Sequence, residues 1–474
     1  MSFDSASVSC RIRQIMLRDR LPNVSVCVRG PEGTLYSESF GIRDLSEAPV
    51  SPSTVFGIAS MSKSITALCL CILETEGKLS LDDPITKYFP GFRIPGQPMD
   101  LVTLRTLANH TSGIPPMEPL EWSIAMNSDR KETDWIRAMR QSAPNSMSTI
   151  RDVMDYISSC PYPTVGMPGE NMSYCNEGYA ILSYVVDQAA GIPLEDFCRD
   201  RIFRPLGMTR TVMDADAVSA RKMAGEDMAG LFELNSNDEL ECDSNWSLCP
   251  PFRGSATVKS TAGDMAAYYR CLSLHGMHEG HRIFPEAAVE AMIGASVPAL
   301  PQAVYGLGLY KRTFRGHVIC EHGGGLHGVS SKGGLLLGEG YGFAVLCSLG
   351  DADMDEIMWC LYNAVIGLPP ETSHRWFIPA GHNFSDPEML PGRYVGHEGI
   401  PDICEVHEGG KTATVSGHFC DLVHCGGARF LAVDPSDHTR TRSRLEFFFR
   451  SGHAWGVRVG SRIFTLEPEK EEKV

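Results

Sequence analysis

Ser60-Met61-Ser62-Lys63 sets a hydroxyl and an amine three residues apart at the start of an apolar, helix-patterned run. Residues at i and i+3 share one helical face, so the Lys63 side chain can reach the Ser60 hydroxyl. Free N–H groups and the positive dipole end at a helix start favour an oxyanion there. The chemistry this supports is nucleophilic attack by a serine with an amine as base. Ser-x-x-Lys alone recurs by chance, so partners are required. Tyr174-Cys175-Asn176 follows Pro168-Gly169 and precedes a helical stretch. A phenol near Lys63 can shuttle a proton between nucleophile and leaving group, and the Asn176 amide can bind Lys63 and a substrate carbonyl. In isolation the same run reads as a core tyrosine beside a turn. His322-Gly323-Gly324-Gly325 offers backbone that a ligand can approach closely, and on a sheet edge it can supply a second oxyanion N–H. Its plainer reading is a tight glycine turn.

These groups need elements to hold them. Val24 to Val28 and Thr34 to Phe40 are β-rich runs joined by Arg29-Gly30-Pro31-Glu32-Gly33, a hairpin connection. Ile65, Leu68, Cys69, Ile72 and Leu73 mark a buried helical face over Ser60 to Glu76, with Gly77 as its C-terminal cap. From about Ser80 to Ile293 short helical patterns alternate with Gly/Pro-rich loops, including Arg151 to Ile157, Gly178 to Ala190 and Ala262 to Leu274. Strand character returns at Gly306 to Tyr310, Gly333 to Leu337 and Gly342 to Leu346, and a helix is predicted over Asp353 to Ile366. Strands at both ends of a helical middle suggest one sheet completed by both ends. Leu368 to Pro391 lacks periodicity and reads as a linker. Beyond it, β-rich runs at Arg393 to Val395, Thr412 to Val415, Arg429 to Val433, Leu445 to Phe449, Trp455 to Val459 and Ile463 to Leu466 suggest a small antiparallel barrel.

Composition narrows the function classes. The 474 residues carry 58 acidic against 42 basic side chains, a net charge of -16, which repels a phosphate backbone and argues against nucleic acid as a partner. No apolar run approaches the roughly 20 residues of a membrane span, and the first residues lack the apolar core of a secretory signal. A cytoplasmic protein without membrane partners is expected. The 16 cysteines sit largely in apolar runs and read as reduced core residues, with no Cys-x-x-Cys pair to suggest zinc or redox chemistry. His275, His278 and His281 have ligand-like spacing but fall in a glycine-containing turn, read as a solvated loop. A Gly-x-Ser-x-Gly elbow and a phosphate-binding Gly-x-x-x-x-Gly-Lys loop are both missing, so neither an α/β-hydrolase nor a nucleotide cofactor is implied.

Taken in order, Ser-x-x-Lys, Tyr-x-Asn and His-x-Gly resemble the three active-site motifs of class C β-lactamases and of related penicillin-binding proteins, esterases, D-aminopeptidases and lovastatin-type acyltransferases. Pro22 to Val28 with Phe40-Gly41, Leu79 to Pro84, Leu107 to Pro115, Pro205-Leu206-Gly207-Met208 and Tyr305-Gly306-Leu307-Gly308 extend the resemblance over Leu21 to Leu368. It implies an α/β (α+β) β-lactamase/transpeptidase-like fold: an antiparallel sheet flanked by helices, an all-helical subdomain, and here a C-terminal barrel. The expected division is a catalytic domain at 1–368, a linker at 369–391 and a barrel at 392–474.

By the same resemblance Ser60 attacks a carbonyl, Lys63 and Tyr174 share base and acid duty, and the N–H groups of Ser60 and Gly325 form the oxyanion hole. Asn176, His322, Gly324 and Gly325 bind substrate, while Trp122 and Trp135, in a segment that borders the cleft in relatives, suit core packing and the cleft rim equally. His110, in His110-Thr111-Ser112-Gly113, belongs to a structural turn in this pattern and is left out of the site. Many relatives have lysine where this chain has His322, a weaker and pH-dependent cation. That shifts the expectation from β-lactamase towards a D-aminopeptidase-like or esterase-like serine hydrolase of small amides or esters, needing no cofactor. Acyl transfer in secondary metabolism, β-lactamase activity and a non-catalytic ligand sensor are the alternatives. In D-aminopeptidases an accessory barrel contributes a loop near the active site, and Gly392 to Pro468 is a candidate for that role.

Overall fold

A computed structural model describes residues 3–468 apart from 215–217, 236, 238, 295, 301–302, 376–378 and 399–401. Positions 376–378 of the expected linker, and 399–401 and 469–474 of the expected barrel, lie outside the described residues. The structure joins an antiparallel sheet covered by helices to a C-terminal closed barrel.

Its centre is an eight-stranded antiparallel sheet in the order Val297–Leu300, Ala303–Tyr305, Tyr310–Phe314, His317–Leu326, Val329–Leu336, Tyr341–Cys347, Asn23–Gly30, Gly33–Gly41. The N-terminal hairpin therefore completes a sheet begun by strands nearly three hundred residues later. Asn23–Gly30 is buried along almost its whole length, because both faces of the sheet are covered and a strand in that position must be apolar on each. Val24, Val26 and Val28 pack with the helices Ser5–Asp19 and Asp355–Ile366, while Cys27 faces the larger core around the helices Ser62–Thr75 and Ala262–Ser273. Ser62 to Leu73 are all buried, and from Ala67 to Leu73 every side chain is apolar, as suits helical turns enclosed on all sides. Gly77, at φ +68, sits just past the end of this helix, the left-handed position at which glycine costs least.

Several expectations are corrected. Gly306 to Tyr310 is not one strand. Tyr305 ends one strand and Tyr310 begins the next, because a Cβ on Gly308 would stand 2.8 Å from Ser64 Cα and 2.9 Å from the Lys63 carbonyl oxygen. That stretch is a close approach of backbone to the Ser62–Thr75 helix, not an extended run. The glycine segment His322 to Gly325 lies inside the strand His317–Leu326, which pairs on both sides up to Glu321; from His322 onward it runs past the end of the Tyr310–Phe314 strand, leaving that edge open. The helix Ser5–Asp19, buried at Val8, Ile12 and Ile15, was readable from its i, i+4, i+7 spacing but was not predicted. Among the described residues the tail holds eight strands, Asp402–Val406 and His418–His424 adding to the six expected, and they close on themselves. Among the described residues, no helix is long and apolar enough to cross a membrane.

Candidate active site

Ser60 sits in a 3-10 turn, Ala59–Met61, that opens the Ser62–Thr75 helix. Ala59 has φ 45, a left-handed conformation that a side-chain-bearing residue adopts only when its surroundings enforce it. Those surroundings are visible. Ser62 Oγ donates to the Ala59 carbonyl at 2.7 Å and accepts from the Val258 N–H at 3.1 Å, while Ser331 Oγ donates to the Ile58 carbonyl at 2.8 Å. Gly324 fits against the same turn: a Cβ there would lie 2.2 Å from the Ile58 carbonyl oxygen and 3.0 Å from the Ser60 nitrogen. A Cβ on Gly325 would meet nothing within 4 Å, because Gly325 borders a cleft of about 670 Å³.

Lys63 is fully buried, and its Nζ donates to Ser60 Oγ at 3.0 Å, Asn176 Oδ1 at 2.8 Å and the Ser255 carbonyl at 3.1 Å. Three acceptors match the three N–H donors of an ammonium. Burial, helped by the Arg462 guanidinium and opposed by Glu177, pushes its pKa down to about 7. Near neutral pH it therefore moves readily between a charged donor and a free amine able to take the Ser60 proton. Burial likewise raises the Glu177 carboxyl to about 7, with the Cys175 thiol donating to it at 3.3 Å.

Tyr174 lines the cleft and its hydroxyl, though buried, makes no hydrogen bond of ordinary geometry among the described residues. Its pKa is raised, mainly by burial, with Ser60 and Arg462 pulling the other way. Lys63 Nζ and the Arg462 guanidinium each lie 4.9 Å from the centre of its ring.

The barrel reaches this point. Asn176 Nδ2 donates to Glu398 Oε1 at 2.8 Å, Glu398 is clasped by Arg462 through both its carboxylate oxygens, and the Tyr174 N–H donates to the Ser461 carbonyl at 2.9 Å. A continuous polar chain thus runs Ser60, Lys63, Asn176, Glu398, Arg462. Sequence reasoning named the barrel but not these side chains, since nothing local to Glu398 or Ser461-Arg462 marks them.

His322 is 3% exposed. Burial, and then Lys63, hold its pKa down at about 3, so it is a neutral imidazole and not the pH-dependent cation expected. Trp122 does not face the cleft: it is buried, donates from Nε1 to Ser142 Oγ at 2.9 Å and meets Tyr156 edge-on. Trp135 is half-buried, its ring 4.2 Å from that of His327, which does line the cavity. Burial works against charge on His327, but Glu121 and Glu233 prevail and raise its pKa to about 9.

Of the three spaced histidines, His275 meets Glu286 and Glu290 with ligand atoms within 4.8 Å of one another, acids its own turn does not supply. Arg282 Nη2 already occupies Glu286 Oε2 at 3.0 Å, and these residues do not line the cleft.

A model of the family described as Beta-lactamase matches residues 9–359. The chain is 28% identical over 244 residues, 50% of its own length and 49% of the other's, to a penicillin-binding protein of Bacillus subtilis (strain 168). It is 26% identical over 329 residues, 66% of its length and 55% of the other's, to the D-aminopeptidase of Cereibacter sphaeroides (strain KD131 / KCTC 12085). The matches thus span about half the length of these two curated relatives. The structure of the octameric penicillin-binding protein homologue from Pyrococcus abyssi superposes with a TM-score of 0.67 at 23% identity, covering 97% of this chain and 99% of that one.

Proposed function

The chain belongs to the Beta-lactamase family, and from that premise we propose that it is a serine hydrolase cleaving a small amide or ester through an acyl-enzyme on Ser60. The observation that carries this reading is the 3.0 Å approach of the buried Lys63 amine to Ser60 Oγ on the border of an open cleft. The neutral Lys63 amine takes the hydroxyl proton as Oγ bonds to the carbonyl carbon. Tyr174 and the resulting ammonium pass that proton to the leaving amine or alkoxide as its bond to carbon breaks, and water then releases the acid by the reverse relay. The N–H groups of Ser60 and Gly325 stabilise the oxyanion. Asn176 holds Lys63 and the substrate carbonyl. Residues 1–368 form the catalytic unit in this scheme, 369–391 the linker and 392–474 a barrel that completes the cleft.

The cleft favours amino-acid amides and esters over β-lactams. A neutral His322 gives no fixed cation for a carboxylate at that position, whereas Glu121, Glu233, Asp351 and Glu398 outnumber His327 and Arg462 along the walls. An amine-bearing substrate suits that balance, and the D-aminopeptidase relative points to D-configured ones.

Incubation with a fluorophosphonate and peptide mass spectrometry should place the adduct on Ser60, and Ser60→Ala should take none. A wild-type protein with no adduct there would overturn the proposal. Turnover of D-amino-acid amides ahead of their L-forms and of β-lactams is the expected specificity. The barrel's part is tested with Arg462→Met. Removing a cation that disfavours the Lys63 ammonium, and freeing the Glu398 carboxylate beside Asn176, should move the acid limb of the acylation profile to higher pH. An unmoved limb would take the barrel out of the mechanism.

A further inference from the structure

His110 and Tyr305, which the proposed chemistry leaves unused, are joined to His322 by a chain of buried hydrogen bonds. The Cys175 N–H donates to His110 Nδ1 at 3.1 Å, His110 Nε2 stands 3.2 Å from Tyr305 Oη, Tyr305 Oη stands 3.1 Å from His322 Nε2, and His322 Nδ1 stands 2.5 Å from the Gly323 carbonyl oxygen. His110, Tyr305 and His322 are 1%, 0% and 3% exposed, so water does not compete along the chain.

The two backbone ends dictate its direction. A peptide N–H can only donate, so His110 Nδ1 accepts and its proton is on Nε2. That proton goes to the Tyr305 oxygen. Tyr305 then spends its single proton on His322 Nε2, which leaves the His322 proton on Nδ1, facing a peptide carbonyl that can only accept. Burial lowers the pKa of both imidazoles, in keeping with two neutral rings. The Tyr174 ring lies over His110 with centroids 4.3 Å apart, so the chain passes beneath the phenol while tying the loop that carries it to the glycine strand.

We propose that His110 and Tyr305 are positioning residues that fix His322 as its Nδ1–H tautomer and thereby pin the Gly323 peptide, setting the line of the strand that presents the Gly325 N–H to the cleft. Glycine backbone has no side chain to restrain it, and among the described residues the edge beyond Glu321 has no strand pairing on that side. A tether from the imidazole to the Gly323 carbonyl supplies the restraint. His110 touches no substrate in this scheme and acts only through Tyr305.

The kinetic readout rests on the Ser60 acylation reading, but the tautomer readout does not. In wild-type protein, long-range 1H–15N correlation should show His110 protonated on Nε2 and His322 on Nδ1. Tyr305→Phe deletes one hydroxyl without changing shape. It should release His322 to a mixture of tautomers and slow acylation about tenfold through a loss of alignment, with the thermal midpoint falling by roughly 2–4 °C. His110→Gln keeps a donor in the place of Nε2 and should preserve the His322 pattern, whereas His110→Asn keeps only the acceptor for the Cys175 N–H and should not. A merely structural His110 would not separate these two variants. Wild-type His322 protonated on Nε2, or a Tyr305→Phe protein with both tautomer and acylation unchanged, would overturn the inference. A wild-type protein that fails to label Ser60 would sink the hydrolase reading and leave the tautomer result to decide this one.

Discussion

Lys63→Met should lower the rate of Ser60 acylation by about 10³-fold or more and leave the protein folded. General-base assistance accounts for roughly 10²–10⁴ in rate, and activation of a serine hydroxyl depends on it. The ammonium also props Asn176 Oδ1 and the Ser255 carbonyl at 2.8 and 3.1 Å, so the variant loses alignment as well as a base. Methionine fills the same tunnel with an apolar, flexible chain, and the burial penalty of the cation disappears with the amine. A single-turnover assay with an activated ester measures the rate, and thermal unfolding checks the fold. A variant acylating within tenfold of wild type would dismiss Lys63 as the base.

The pH dependence has a definite sign. The lysine must be neutral to accept the Ser60 proton, so wild-type acylation should rise as pH climbs through about 7, and the acid limb should be lost in the variant. Stability follows the same group. Folded Lys63 is held at about 7 against an ordinary 10.5, so between those values the unfolded chain binds a proton that the folded one does not. Wild-type stability should accordingly gain on that of Lys63→Met as pH rises from 7 to 10.5, and the difference should be flat below 7. Glu177, raised to about 7 by burial, broadens the transition from one side, because its carboxylate favours the Lys63 charge. Glu177→Gln should sharpen it.

What could be read in advance divides by sequence separation. Ser60 and Lys63 are three residues apart on one face, and helix periodicity alone brings them together. Tyr174 and Asn176 were found by their order relative to that pair, and their side chains fall beside it because the Asn176–Ala190 helix begins at the cleft. The Asn176 to Glu398 hydrogen bond spans 222 positions, and no local pattern announces a barrel residue whose partner lies in another unit of the fold. His110 shows how a correct local reading can be incomplete. Its φ of 61 is that of the turn residue expected, yet its ring reaches across to Tyr305, 195 positions away. Trp122 stays undecided in the sequence for a different reason. A large aromatic near the chemistry in the chain suits either a core or a cleft wall, and the choice is made by its neighbours Ser142 and Tyr156, not by the residue itself.

The largest stability effect is expected at Glu321, on the reverse face of the strand that carries His322. Glu321 is 2% exposed and accepts from Arg312 Nε at 2.9 Å and from the Tyr362 hydroxyl at 3.0 Å, with Lys332 Nζ at 3.7 Å. Lys332 is also paired with Asp355. Burial works to raise the Glu321 pKa, but Lys332 and Arg312 outweigh it and hold the carboxyl at about 2. Glu321→Ala strips one anion from a cluster with the buried Arg312 and the half-buried Lys332, and breaking a buried pair from one side costs roughly 3–5 kcal/mol. The loss should appear at neutral pH as a lower denaturation midpoint, and Glu321→Gln, which keeps an acceptor without the charge, should lose less. Because the folded carboxyl lies below its ordinary 4.5, its contribution is complete above that value and drains away as pH falls towards 2. Wild type and Glu321→Ala should therefore converge in acid. Acylation should fall further in the alanine variant than Ser60 chemistry alone would suggest, since Glu321 is the last residue of its strand paired on both sides, opposite Tyr310 and Gly334, and it anchors the glycine run that follows. A loss under about 1 kcal/mol at pH 7, the scale of an exposed pair, would mean that the cluster does not brace the strand.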